Sequence, residues 1–153
     1  MCNKSLNFFL LIACIMFGVV TSMSVYGHCE LPCGIYDDHA RIEAMLEDVA
    51  TIEKADLKIT ELSQKKDSES KNQLVRWVMN KEEYSQKVIS VISNYFLTQR
   101  VNPGQKDYKE RLVAFNTVMI AAMKTKQNVN VEYAKKLKKS IEALSIYYPE
   151  HKE

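Results

Sequence analysis

The sequence predicts an all-α fold, an antiparallel up-down four-helix bundle, on three observations. Four segments repeat their apolar residues at 3/4 spacing, the period of a helix with one buried face. No stretch alternates apolar and polar residues in the period of two that a half-buried strand needs. Short polar or Pro/Gly-containing connections separate the segments, so consecutive helices must run back alongside one another.

The first segment runs from about Asp38 to Leu62 and turns Ile42, Met45, Leu46, Val49 and Ile52 inward. Asp37 or Asp38 is placed to cap it, because a carboxylate there accepts from backbone N–H groups that lack an intrahelical partner. Ser63 to Asn72 is polar throughout and predicts a loop. The second segment spans roughly Gln73 to Gln99, with a stripe of Leu74, Trp77, Val78, Tyr84, Val88, Val91, Ile92, Tyr95 and Phe96. Asn102-Pro103-Gly104 then breaks the chain. The third covers about Asp107 to Lys126, with Tyr108, Leu112, Phe115, Met119, Ala122 and Met123 facing in. After Gln127 to Asn130, the last segment sets Ala134, Leu137, Ile141, Leu144 and Tyr148 at alternating steps of three and four, and Pro149 stops it.

At 153 residues the chain accommodates one domain, expected over 28–153 with the bundle at about 38–148. Residues 1–27 read as a targeting segment outside the fold. Lys4 gives it a positive start, Leu6 to Val20 is apolar apart from Asn7, and Val25 and Gly27 stand at −3 and −1 of a cleavage before His28. The apolar run is short for a membrane span, so a cleaved leader is expected, with no membrane contact once it is gone. The matching location is outside the cytoplasm, periplasmic or secreted; a cytoplasmic protein trimmed by a dedicated leader protease is the alternative. Leu11-Ile12-Ala13-Cys14 offers a competing reading as a lipoprotein-type box with lipid on Cys14, which would leave His28 internal. Leaving out 1–27 removes Lys4 and no acid, so the 21 basic residues become 20 against 19 acidic ones. That balance gives no support to a nucleic-acid partner.

Cleavage there would make His28 the first residue of His28-Cys29-Glu30-Leu31-Pro32-Cys33. A chain beginning His-Cys offers a metal its terminal amine, the Cys29 backbone nitrogen, the Cys29 thiolate and the His28 imidazole. Amine to amide nitrogen closes a five-membered chelate ring, and amide nitrogen to Cys29 sulfur closes another. A Pro-Cys-Gly turn can swing the Cys33 sulfur into the remaining planar position, helped by the fixed φ of Pro32 and the backbone freedom of Gly34. Two nitrogens and two sulfurs in a square, with an axial imidazole, suit Ni(II) or Cu(II) rather than tetrahedral Zn(II). A disulfide between Cys29 and Cys33 would close so small a loop that it would constrain little of the unfolded chain. Residues 28–36 are therefore expected to form an N-terminal metal-binding hook.

Extended through Gly34-Ile35-Tyr36-Asp37, this stretch resembles the nickel hook of nickel-dependent superoxide dismutases, matching H-C-x-x-P-C-G-x-Y at all six typed positions. The resemblance continues more loosely through Ala40-Arg41-Ile42-Glu43 and around Ser93-Asn94-Tyr95-Phe96. It implies the same helical bundle, one nickel ion per subunit, superoxide as substrate, and disproportionation by Ni(II)/Ni(III) cycling. It further implies nickel bound by the His28 amine, the Cys29 amide and the sulfurs of Cys29 and Cys33, with the His28 imidazole axial in the oxidised state. Tyr36 takes the family role of a gate that orders substrate or water over the open metal face. Glu43 matches, across a one-residue deletion, the carboxylate that orients the ligating histidine. Tyr95 matches a tyrosine close to the site, and Glu30 stands where the family often has Asp. The family assembles as a homohexamer in which a neighbouring subunit packs each hook, so a homo-oligomer is implied here.

On periodicity alone the same residues have plainer roles: Tyr36 in half-buried packing, Glu43 on a solvated face, Tyr95 in the core. The arginine that the family carries on its second helix is replaced by Asn80, with Arg76 and Lys81 within about one turn as available substitutes. His39 and His151 have no partner at ligand spacing and are expected to be exposed. Two other functions fit parts of the pattern. One is a copper site through the His28 amine and imidazole; the other is an exported helical binding module with Cys29 and Cys33 oxidised to a disulfide.

Overall fold

The computed structural model of the chain describes residues 35–150. It contains α1 (Asp38–Leu62), α2 (Ser68–Ser90), a π-helical continuation of α2 (Val91–Arg100), α3 (Tyr108–Gln127) and α4 (Val131–Glu142), which tightens into a 3-10 turn (Ala143–Ile146). Each of the four helices packs on two neighbours, α1 and α3 both lying between α2 and α4. The all-α bundle that the periodicity predicts is thus the observed fold. Among the described residues no helix is long and apolar enough to cross a membrane.

Predicted and observed bounds of α1 coincide, because Asp37 caps it: its carboxylate accepts from the backbone N–H groups of His39 at 2.8 Å and Ala40 at 3.4 Å. The start of α2 differs. The polar stretch expected to be loop through Asn72 is helical from Ser68, where Asp67 accepts from the Ser70 backbone N–H at 2.8 Å. Here capping, rather than an apolar stripe, starts the helix. The end of α4 also comes earlier than Pro149: the last turn closes through Tyr147 N–H to the Leu144 carbonyl at 2.9 Å, the tighter 3-10 spacing.

The core runs the length of the bundle through Ile42, Met45, Val49 and Ile52, Val88 and Ile92, and the α4 seam of Ala134, Leu137, Ile141 and Leu144. At one end Phe96, Phe115 and Tyr148 close it as an aromatic cluster, with Phe96 stacked on Phe115 at 5.1 Å between ring centres. Three residues expected to face in do not: Val78 is 39% exposed, Leu112 36% and Met123 43%. The buried line on α3 is Phe115, Val118, Ala122 and Thr125, which leaves Leu112 and Met123 about 100° round the helix from its centre.

The other end is polar inside. Lys81 and Asp56 are both buried, their Nζ and Oδ1 atoms 4.0 Å apart. Lys81 donates to the carbonyls of Asn128 at 2.7 Å and Lys126 at 3.4 Å, satisfying the C-terminus of α3. Beside it the hydroxyls of Ser85 and Thr125 share a hydrogen bond of 2.8 Å. Asp56 has no hydrogen-bond partner, and burial pushes its carboxyl above the ordinary 3.8, only partly opposed by the Lys81 charge. Lys81→Met, which strands that carboxylate, should lower unfolding free energy by about 3–5 kcal/mol in urea titration. An acid whose folded pKa is raised contributes stability that is full below its unfolded value and lost as pH rises through the folded one. Wild type should therefore gain on Asp56→Asn as pH falls from neutral towards 3.8, and a constant gap between the two would contradict the burial effect.

Candidate metal centre

His28, Cys29, Glu30 and Cys33 lie outside the described residues, as does His151. Among the described residues no group of three or more His, Cys, Asp or Glu side chains is arranged to hold a metal ion. What the structure does define is the end of the bundle to which a hook ending at Tyr36 is joined.

That end is formed by the N-terminus of α1, the π-helical end of α2, the start of α3 and the end of α4. Tyr36 and Tyr95, 59 residues apart in sequence, meet there with ring centres 5.9 Å apart and planes tilted by 47°. Tyr36 is 37% exposed, while Tyr95 is buried and packs edge-on against Phe96 at 5.1 Å. Tyr95 is therefore a core residue by its ring, with its hydroxyl turned towards the start of α1. The hydroxyl donates to Asp38 Oδ1 at 2.5 Å and stands 3.5 Å from the Tyr36 carbonyl oxygen. Burial, reinforced by the Asp38 carboxylate, pushes the phenol of Tyr95 above its usual pKa, so it stays protonated at neutral pH.

Two arginines belong to this end. Arg41 lays its guanidinium over the Tyr36 ring at 4.5 Å, and its Nε is buried without a hydrogen-bond partner. Arg100 pairs with Asp38 through Nε at 2.7 Å and donates to the Tyr95 hydroxyl through Nη2 at 2.9 Å. The sequence reading singled out neither Arg100 nor Asp38 as a site residue. Arg100 carries no signal in an α-helical register, since five residues on from Tyr95 is about 140° away. The suggested substitutes for the missing arginine do not reach this end within the chain. Lys81 is committed to the far end, and at 1.5 Å per residue it lies about 21 Å along the helix from Tyr95. Arg76 is farther still.

Glu43 projects from α1 at the same end and is exposed; its carboxylate lies 3.8 Å from His39 Nε2, one helical turn back. His39 is not exposed as expected. Its side chain is 22% accessible and its Nδ1 lies 3.1 Å from the Tyr148 carbonyl oxygen, tying the start of α1 to the end of α4. Around Glu43 opens an acidic hollow lined by Asp37, His39, Glu47 and Glu150.

The sequence was compared with known proteins. A family model described as nickel-containing superoxide dismutase matches residues 23–152, hook and bundle together. No curated protein and no solved structure matches.

Proposed function

Because the chain belongs to the nickel-containing superoxide dismutase family, a family of oxidoreductases that disproportionate superoxide with a nickel cofactor, we propose how its own residues serve that reaction. The His28 amine and imidazole, the Cys29 amide and the thiolates of Cys29 and Cys33 hold the metal. The donor chemistry fits: two anionic sulfurs and two nitrogens are a set that would suit Ni(II). Bound in that set, nickel supplies a one-electron couple that superoxide can both reduce and oxidise.

The observation that carries this reading is the meeting of Tyr36 with Tyr95 at the bundle end where the hook begins. Tyr36, three residues past Cys33, presents a half-exposed phenol able to order a small polar molecule beside the metal. Tyr95 backs it with a phenol that burial and Asp38 keep protonated. The Arg41 charge over the Tyr36 ring favours approach of an anion against the acidic side chains nearby. Glu43 orients the His28 imidazole, and Glu30 adds charge next to the ligands. His39 competes for the Glu43 carboxylate.

Nickel content and dismutase rate, measured on one sample of the chain beginning at His28, test the reading; a protein that takes up no nickel would overturn it. On the same samples Glu43→Ala should lose about 10–100-fold in rate by freeing the ring. His28→Gln keeps the amine, amide and both sulfurs, so it should still bind nickel but turn over far more slowly. Wild-type rate in His28→Gln would show that turnover does not need the imidazole.

We further propose that removal of residues 1–27 creates the metal site and accompanies export from the cytoplasm. Copies of the chain assemble, as a homohexamer by the family resemblance. The exposed apolar side chains of Val113, Ile120 and Met123 on α3 support such a contact, and sedimentation of the processed protein tests it.

A further inference from the structure

We infer that Arg100 is a positioning residue of the site: paired with Asp38, it clamps the Tyr95 hydroxyl beside the Tyr36 carbonyl and thereby fixes where the hook leaves the bundle. The inference rests on the nickel reading above, since it gives the clamp the task of placing Tyr36 and the residues before it.

The winding of the helix makes the clamp. Val91–Arg100 is π-helical, and the Val101 N–H that follows it donates to the Phe96 carbonyl five residues back at 3.0 Å. In that winding five residues make little more than one turn, and Arg100 comes round to lie over the Tyr95 ring, its guanidinium carbon 5.2 Å from the ring centre. Its Nη2 donates to the Tyr95 hydroxyl at 2.9 Å, and its Nε donates to Asp38 Oδ1 at 2.7 Å while standing 3.2 Å from the same hydroxyl. The phenol in turn donates its proton to Asp38 Oδ1 at 2.5 Å. The hydroxyl therefore accepts from Arg100 and donates to Asp38, which leaves one orientation for the ring. In that orientation it stands 3.5 Å from the Tyr36 carbonyl oxygen. A guanidinium fits this task because its planar fork aims two N–H groups at two acceptors; an ammonium has no such fixed fork.

The chain beginning at His28, with Arg100→Gln, Arg100→Lys, Asp38→Asn and the Arg100→Gln/Asp38→Asn double variant, provides the test. Nickel retention is read against a chelator, with circular dichroism confirming the fold. The Tyr95 phenol is titrated by absorbance in the metal-free chain, as the difference made by Tyr95→Phe. The titratable and charged groups around it are Tyr36, Asp38 and Arg41 at the start of α1, Arg100 on its own helix, and Arg111 and Tyr148 at the adjoining ends of α3 and α4. Arg100→Gln and Asp38→Asn should each weaken nickel retention about tenfold, the double variant no further than the worse single, and Arg100→Lys should not restore it. Asp38→Asn should lower the pH at which Tyr95 ionises and Arg100→Gln should raise it. A phenol titration that neither substitution moves, losses of nickel that multiply, or full retention in Arg100→Lys would each overturn the clamp. So would a phenol that shifts while nickel retention stays at wild type, because the clamp would then not reach the hook. Should the wild-type chain take up no nickel, the nickel reading fails while the metal-free titration still tests the clamp.

Discussion

Cys29→Ser and Cys33→Ser should each bring dismutase activity down to background. Serine differs from cysteine by one atom and is a little smaller and shorter, so the change tests chiefly what sulfur does. A thiolate is the softer, more strongly donating ligand and gives up its proton near neutrality, whereas a serine hydroxyl keeps its own. Loss of one thiolate therefore weakens the metal site and raises the cost of oxidising any nickel that remains. Catalysis alternates between two oxidation states, so closing one of them stops the cycle. Because each ~1.4 kcal/mol added to the barrier is a factor of ten, a rise of about 4 kcal/mol would cost about a thousandfold in turnover. The bundle should be untouched, since among the described residues its core is built from Ile42 to Tyr148. Metal analysis, rate and thermal unfolding on the same samples separate these effects. An active single variant would rule out a two-thiolate nickel site, and a variant that fails to fold would show that the hook contributes to the core.

A chain that keeps Gly27 in front of His28 should lose most of its nickel and its activity, although every side chain is in place. Adding one residue converts the His28 amine, a good donor with a free lone pair, into a peptide nitrogen whose lone pair is delocalised into the carbonyl. One of the proposed donors would then be lost without any change in the described bundle. The loss should exceed the roughly 10–100-fold that follows changes just outside the ligands. Trimming the extended protein to His28 with an aminopeptidase should restore nickel uptake and rate together. Full activity before trimming would mean that the amine is not a ligand.

The residues that carry this chemistry are local in sequence, and for that reason they are legible. His28, Cys29, Cys33 and Tyr36 fall within nine residues of chain, and a chelate that closes through consecutive backbone and side-chain atoms is a property of that short piece. The helices are legible for a related reason. Amphipathic periodicity persists over many turns, so α1 and the α4 seam from Ala134 to Tyr148 appear where the spacing puts them. Where a helix lacks a long apolar stripe, as between Ser68 and Asn72, periodicity says nothing and a single capping carboxylate decides.

Only the tertiary structure decided what meets Tyr36. Tyr36 and Tyr95 are far apart in sequence and meet because α1 and α2 run antiparallel. Lys81, suggested by sequence as a substitute for a missing arginine, lies too far down the second helix to reach Tyr95, and its buried ammonium is taken up by the carbonyls that terminate α3. Arg100 reaches Tyr95 because the last ten residues of the second helix wind in the π register, which no α-helical projection of the sequence anticipates. The sequence by itself determined the four-helix class and pointed to the proposed metal ligands, because both depend on atoms or periods close together along the chain. The polar shell that holds Tyr36 and Tyr95 depends on which helix ends come together and on how the second one is wound, and those are decided only when the core packs.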